Sequence, residues 1–108
     1  MRFNLHNDSP VVPPDMMRLV WCAVERQTRS GQVLGADQAL TVEEALRAIT
    51  IDAAHAYFEE DQKGSIAAGK LADLVILEAD PTRVAPTELA GVRVVETLKE
   101  GVPVYRSE

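Results

Sequence analysis

The chain reads as α/β, with its helices in the first half and its strands in the second. Three observations carry this. Met17, Val20, Trp21 and Val24 repeat at helical spacing. Thr41-Val42-Glu43-Glu44 has the form of a capping box, with the acid three residues after the threonine. Leu74-Val75-Ile76-Leu77 is an unbroken apolar run, as in a strand buried on both faces.

The elements follow in order. Arg2 to Asp8, "RFNLHND", predicts a strand in which Phe3 and Leu5 share one parity and Asn4, His6 and Asp8 the other. Extended geometry through residue 8 would put His6 and Asp8 on one side, about 7 Å apart. The following "SPVVPP" ends it, because proline has no amide to give a ladder. Asp15 is the expected N-cap of a helix running to about Arg29, with Gly31 as its stop. The capping box starts a second helix with Ala45, Leu46 and Ile49 on its apolar face. A break at Thr50-Ile51-Asp52 precedes a short third helix, Ala53 to Phe58. Gly64 and Gly69 bracket a turn, and strands are expected at Leu71–Leu77, Val92–Leu98 and Val102–Tyr105. Glu100-Gly101 forms the tight connection between the last two, and Pro103 suits only an edge.

Composition narrows the classes of function. A chain of 108 residues, 46% apolar, is one ordinary domain or a piece of a larger one. A net charge of −6 argues against nucleic acid or an anionic membrane as partner. No apolar run approaches the length of a bilayer span, and no signal peptide is expected from the polar residues that follow Arg2. The single Cys22 excludes an internal disulfide and suits a reducing cytoplasm, where the protein is expected to reside. Gly64 to Lys70 matches the spacing of a phosphate loop. However, Leu71 replaces the required hydroxyl residue and the segment precedes a strand, so that reading fails.

Several residues read as structural. Met16, Met17 and Trp21 are core, Arg26 and Arg29 a solvated helix end, His55 a surface or core histidine, and Glu59-Glu60-Asp61 a solvated loop. Lys70 and Asp73 are assigned to structure, with Asp73 satisfying backbone donors at the strand entrance.

Three stretches, "HNDSPVVPPD", "LTVEEALRAITIDAAHA" and "KGSIAAGKLADLVILEADP", resemble the C-terminal end of an amidohydrolase-superfamily enzyme. The similarity is to amidohydrolase family 3, which has D-aminoacylase-like and N-substituted-formamide-deformylase-like members. The resemblance implies an α/β fragment. Residues 1–58 would be the last strand and terminal helices of a TIM-barrel metal-dependent hydrolase, and residues 59–108 the strands of its accessory β-sandwich. It implies that Asp8, at the barrel's C-terminal face, is the catalytic carboxylate and a metal ligand. There Asp8 would accept the proton of the attacking water and pass it to the departing nitrogen. His6 is a candidate second ligand, with ordinary hydrogen-bonded packing as its alternative. The implied cofactor is a divalent metal, zinc by the family's habit, and the implied substrate a small-molecule amide with a non-peptide C–N bond. The other histidines of such a centre are not in this sequence, so the isolated chain is expected to be inactive, with exposed strand edges expected to drive a homo-oligomer. The competing reading is a stand-alone oligomerising module without catalysis.

Overall fold

The computed structural model describes all 108 residues. Helix α1 spans Met16–Glu25, α2 Val42–Ala48 and α3 Ile51–Ala56. Strands β1 (Leu74–Leu77), β2 (Val94–Lys99) and β3 (Val102–Arg106) form an antiparallel sheet in the order β1-β2-β3. The α/β expectation holds at this level, and no helix is long and apolar enough to cross a membrane.

Local chemistry explains the helix starts. The Asp15 carboxylate accepts from the Arg18 amide at 3.1 Å, and so caps α1. At α2 the capping box is complete. The Glu44 amide donates to Thr41 Oγ1 at 3.2 Å, and the Thr41 amide donates to Glu44 Oε2 at 2.9 Å. Those bonds from Thr41 hold the Glu44 carboxyl below the usual glutamate range.

Helix ends differ from expectation. Helix α1 stops at Glu25, not near Arg29, because Arg26 turns into the left-handed region at φ 54° and its amide bonds back to Cys22. The Arg26 guanidinium then donates to the Leu34 carbonyl at 2.9 Å, which fixes the chain reversal. Gly31 lies in the following turn, at φ 87°, between the bridge partners Gln27 and Val33. The break expected at Thr50 is present, but α3 begins at Ile51, two residues before the expected start. Thr50 leaves helical geometry there, and its hydroxyl donates to the Leu46 carbonyl at 2.7 Å. Gly64 is required by a close approach. A Cβ there would lie 2.8 Å from that of Ala54 and 2.9 Å from the Ile51 Cα, on a backbone with φ 91°.

The core is small. Met17, Val20, Ala45, Leu89 and Val92 form its buried cluster, with Trp21, Val24, Leu46, Ile49 and Leu77 packed around them. The expected stripe of α1 faces this cluster, although Met16 points outward and is exposed. The 3₁₀ helix Pro86–Gly91, read from the sequence only as loop, delivers the fully buried Leu89. Val92, expected to start a strand, instead closes that turn and is buried.

The sheet departs most from expectation. Strand β1 starts at Leu74 rather than Leu71, and burial on both faces does not hold: Val75 and Ile76, on opposite faces, are 53% and 46% exposed. Every residue of β3 is exposed. The helices meet the sheet mainly near Leu77; β2 is half-buried from Val94 to Leu98, while Val75 and Ile76 of β1 and all of β3 stay open. The hairpin is as expected, with Glu100 and Gly101 both at positive φ (50° and 80°). Pro103 lies on the edge strand beside a register shift at Thr97/Leu98.

The strand expected at residues 2–8 does not form within this chain. Residues 1–7 carry no ladder, and their backbone makes one bond to the rest of the chain, Leu5 N–H to the Ala48 carbonyl at 3.4 Å. A strand needs a pairing partner, and β1, β2 and β3 pair only with one another.

Candidate functional site

Without a ladder, the parity read from the sequence survives only from Leu5 onward, since Phe3 is exposed. Leu5 and Asn7 are half-buried toward the helices, whereas Asn4, His6 and Asp8 are exposed. Residue 8 then leaves the extended line. Asp8 takes φ 55°, and its carbonyl accepts from the Val11 amide at 2.8 Å, which closes a tight turn. This turn brings the two candidate side chains closer than a straight strand would. His6 Nε2 lies 3.4 Å from Asp8 Oδ1, and the two side chains are 77% and 76% exposed.

What the pair can do alone is limited. A zinc centre generally takes three protein ligands and a water. No three His, Cys, Asp or Glu side chains in the chain gather closely enough to hold a metal ion. The residues present therefore do not make a metal site by themselves. The main concavities, of about 440 and 850 Å³, lie between the helices and the sheet, and neither includes His6 or Asp8. The pair sits on an open surface.

Sequence reading missed the groups that hold this surface. Asn7 shares the half-buried side of Leu5, and its Nδ2 donates to the Pro13 carbonyl at 3.1 Å and approaches that of Asp15 at 3.5 Å. A polar residue on the apolar parity was the available signal. Asp52, read only as a capping candidate, is 10% exposed and lies 4.0 Å from the Arg2 guanidinium and 3.7 Å from that of Arg47. Arg2 thereby ties the start of the chain to α3.

The segment after α3 is more ordered than a solvated loop. His55 Nδ1 lies 2.6 Å from Glu60 Oε1. The Glu60 carboxyl is held below the usual range by its own backbone amide, then by His55. The Lys70 ammonium donates to the Glu60 carbonyl and to Ser65 Oγ, the latter at 2.8 Å. Asp73 does what was expected of it, accepting from the Glu100 amide at 2.9 Å at the sheet entrance. Asp80 accepts from the Thr82 hydroxyl and amide, at 2.6 and 2.9 Å, and these bonds lower its carboxyl. All of these are structural uses, and none converges on His6 and Asp8.

Comparison with known proteins adds what geometry alone does not. A sequence profile described as the amidohydrolase family matches residues 1–105. The chain is 40% identical over 105 residues to the N-substituted formamide deformylase of Arthrobacter pascens, covering 97% of this chain and 19% of that protein. It is 29% identical over 102 residues to YtcJ of Bacillus subtilis, an amidohydrolase by name, covering 92% of this chain and 19% of that one. The crystal structure of an amidohydrolase from Thermotoga maritima superposes with a TM-score of 0.67 at 26% identity, over 93% of this chain and 22% of that one. The chain thus spans about a fifth of the length of the relatives it matches. With nearly every residue inside the family profile and the same segment shared with named members, the chain belongs to the amidohydrolase family.

Proposed function

We propose that these residues are the C-terminal segment of a metal-dependent hydrolase that cleaves C–N bonds in small, non-peptide amides. Residues 1–58 would end the barrel and residues 59–108 would belong to the accessory sandwich. The observation that carries this reading is the carboxylate of Asp8, three-quarters exposed at a turn beside a single imidazole. It is joined to identity with an N-substituted formamide deformylase along 97% of the chain. An exposed acid–imidazole pair without a third ligand is half of a site, and the chain's share of its relatives leaves room for the other half.

In that site Asp8 accepts a proton from the water that attacks the carbonyl carbon and returns it to the nitrogen as the C–N bond breaks. A carboxylate in water is a weak base near neutrality, so its effect rests on being held against the reacting water. The divalent metal, zinc by family habit, would take Asp8 and neighbouring His6 as two ligands and its remaining ligands from residues outside these 108. The open sheet is consistent with this, since Val75, Ile76, Val104 and Tyr105 are apolar and uncovered.

The same sheet favours a second reading, a stand-alone module that covers Val75 and Ile76 by self-association and catalyses nothing. The two readings part on activity. The intact enzyme should release amine from N-substituted formamides, lose that activity to a chelator and regain it with a divalent cation. Absence of C–N cleavage across a panel of such amides, or indifference to the chelator, would overturn the first reading.

A further inference from the structure

We infer that Asn7 is a positioning residue for Asp8, through the bond from its side-chain amide to the loop that leads into α1. This rests on Asp8 being the proton carrier. The Asp8 carboxylate is three-quarters exposed and its ion pair is with the equally exposed His6, so its place depends on its backbone. That backbone is in the left-handed region, at φ 55°, which aspartate tolerates but does not hold unaided, so the neighbouring bonds decide where it stays. Two bonds hold the segment around it. One is the Val11 amide to the Asp8 carbonyl at 2.8 Å, which closes the turn. The other is Asn7 Nδ2 to the Pro13 carbonyl at 3.1 Å, with the Asp15 carbonyl also near, at 3.5 Å.

The second bond reaches furthest. Pro13 and Asp15 flank the start of α1, and Asp15 is its N-cap. Helix α1 in turn is anchored in the core by Met17 and Val20. Asn7 therefore links the backbone beside Asp8 to a helix that is anchored in the core. Both groups it faces are carbonyls, so the position requires a donor. Aspartate, with the same shape, would present an acceptor to two acceptors.

Three variants of the intact enzyme test this. Asn7→Leu removes the donor at similar size, Asn7→Asp exchanges it for an acceptor, and Asn7→Gln keeps an amide. Misplacing a catalytic group by about 1 Å costs on the order of 10²-fold in rate. Asn7→Leu and Asn7→Asp should therefore lower kcat by roughly tenfold to a hundredfold with KM held within about twofold, and Asn7→Gln should recover most of the loss. Asn7→Asp keeps the test open if Asn7→Leu does not fold. Native kcat in Asn7→Leu or Asn7→Asp, or an equal loss in Asn7→Gln, would overturn the inference. Its failure is distinct from that of the Asp8 reading: if Asp8→Asn retains native turnover the proton carrier is elsewhere, whereas an inactive Asp8→Asn beside an active Asn7→Leu removes only the positioning role.

Discussion

Replacing Asp8 by Asn in the intact enzyme should lower kcat by about 10²–10⁴-fold, the usual share of a positioned acid–base group. The substitution keeps size and shape but removes the ability to accept and carry a proton. Asparagine tolerates the left-handed backbone that Asp8 adopts at φ 55°, so the turn closed by Val11 should survive. The carboxylate is 76% exposed, and its one close neighbour is an equally exposed imidazole. A surface pair of that kind contributes little to folding, so Tm should hardly move. Steady-state kinetics with a thermal melt on the same preparation checks both halves. Lost turnover at unchanged Tm assigns Asp8 to the chemistry, and native turnover removes it.

The second large effect is on stability. Leu89 is fully buried, in a core whose other members are Met17, Val20, Ala45 and Val92. Leu89→Ala removes side-chain carbons from that cluster and leaves a cavity, at a cost of about 2–5 kcal/mol. Domains are held by about 5–15 kcal/mol in all, and a chain with so small a core lies toward the lower end. The 108-residue chain carrying Leu89→Ala should lose most of its cooperative unfolding transition in urea. An unchanged midpoint would mean that the 3₁₀ turn from Pro86 to Gly91 does not close the core in solution.

Which parts were legible in the sequence follows from how local their causes are. The caps at Asp15 and Thr41 and the Glu100-Gly101 hairpin depend on residues within three or four positions, and all formed as expected. The α1 stripe was equally visible, because spacing alone fixes a helical face. The end of α1 was not, since it depends on Arg26 reaching Leu34 across a reversal. Nor was Leu89, whose burial depends on α1 packing over a turn with no periodic signal. The apolar run at Leu74–Leu77 and the opening segment show the converse. Their composition suits strands covered on both sides, and this chain supplies neither the cover for the first nor the partners for the second. At the site, parity correctly put His6 and Asp8 on one side. The turn that draws them to 3.4 Å depends on Asp8 leaving extended geometry, which alternation cannot report.

The claim on which this account depends is that Asp8 belongs to an active site completed by residues outside these 108. Complementation tests it most directly. The 108-residue chain and the separately produced remainder of the enzyme are assayed for amide hydrolysis alone, together, and together with Asp8→Asn in the short chain. Turnover is expected only in the unaltered mixture. Turnover by either part alone, or by the mixture carrying Asp8→Asn, would contradict it.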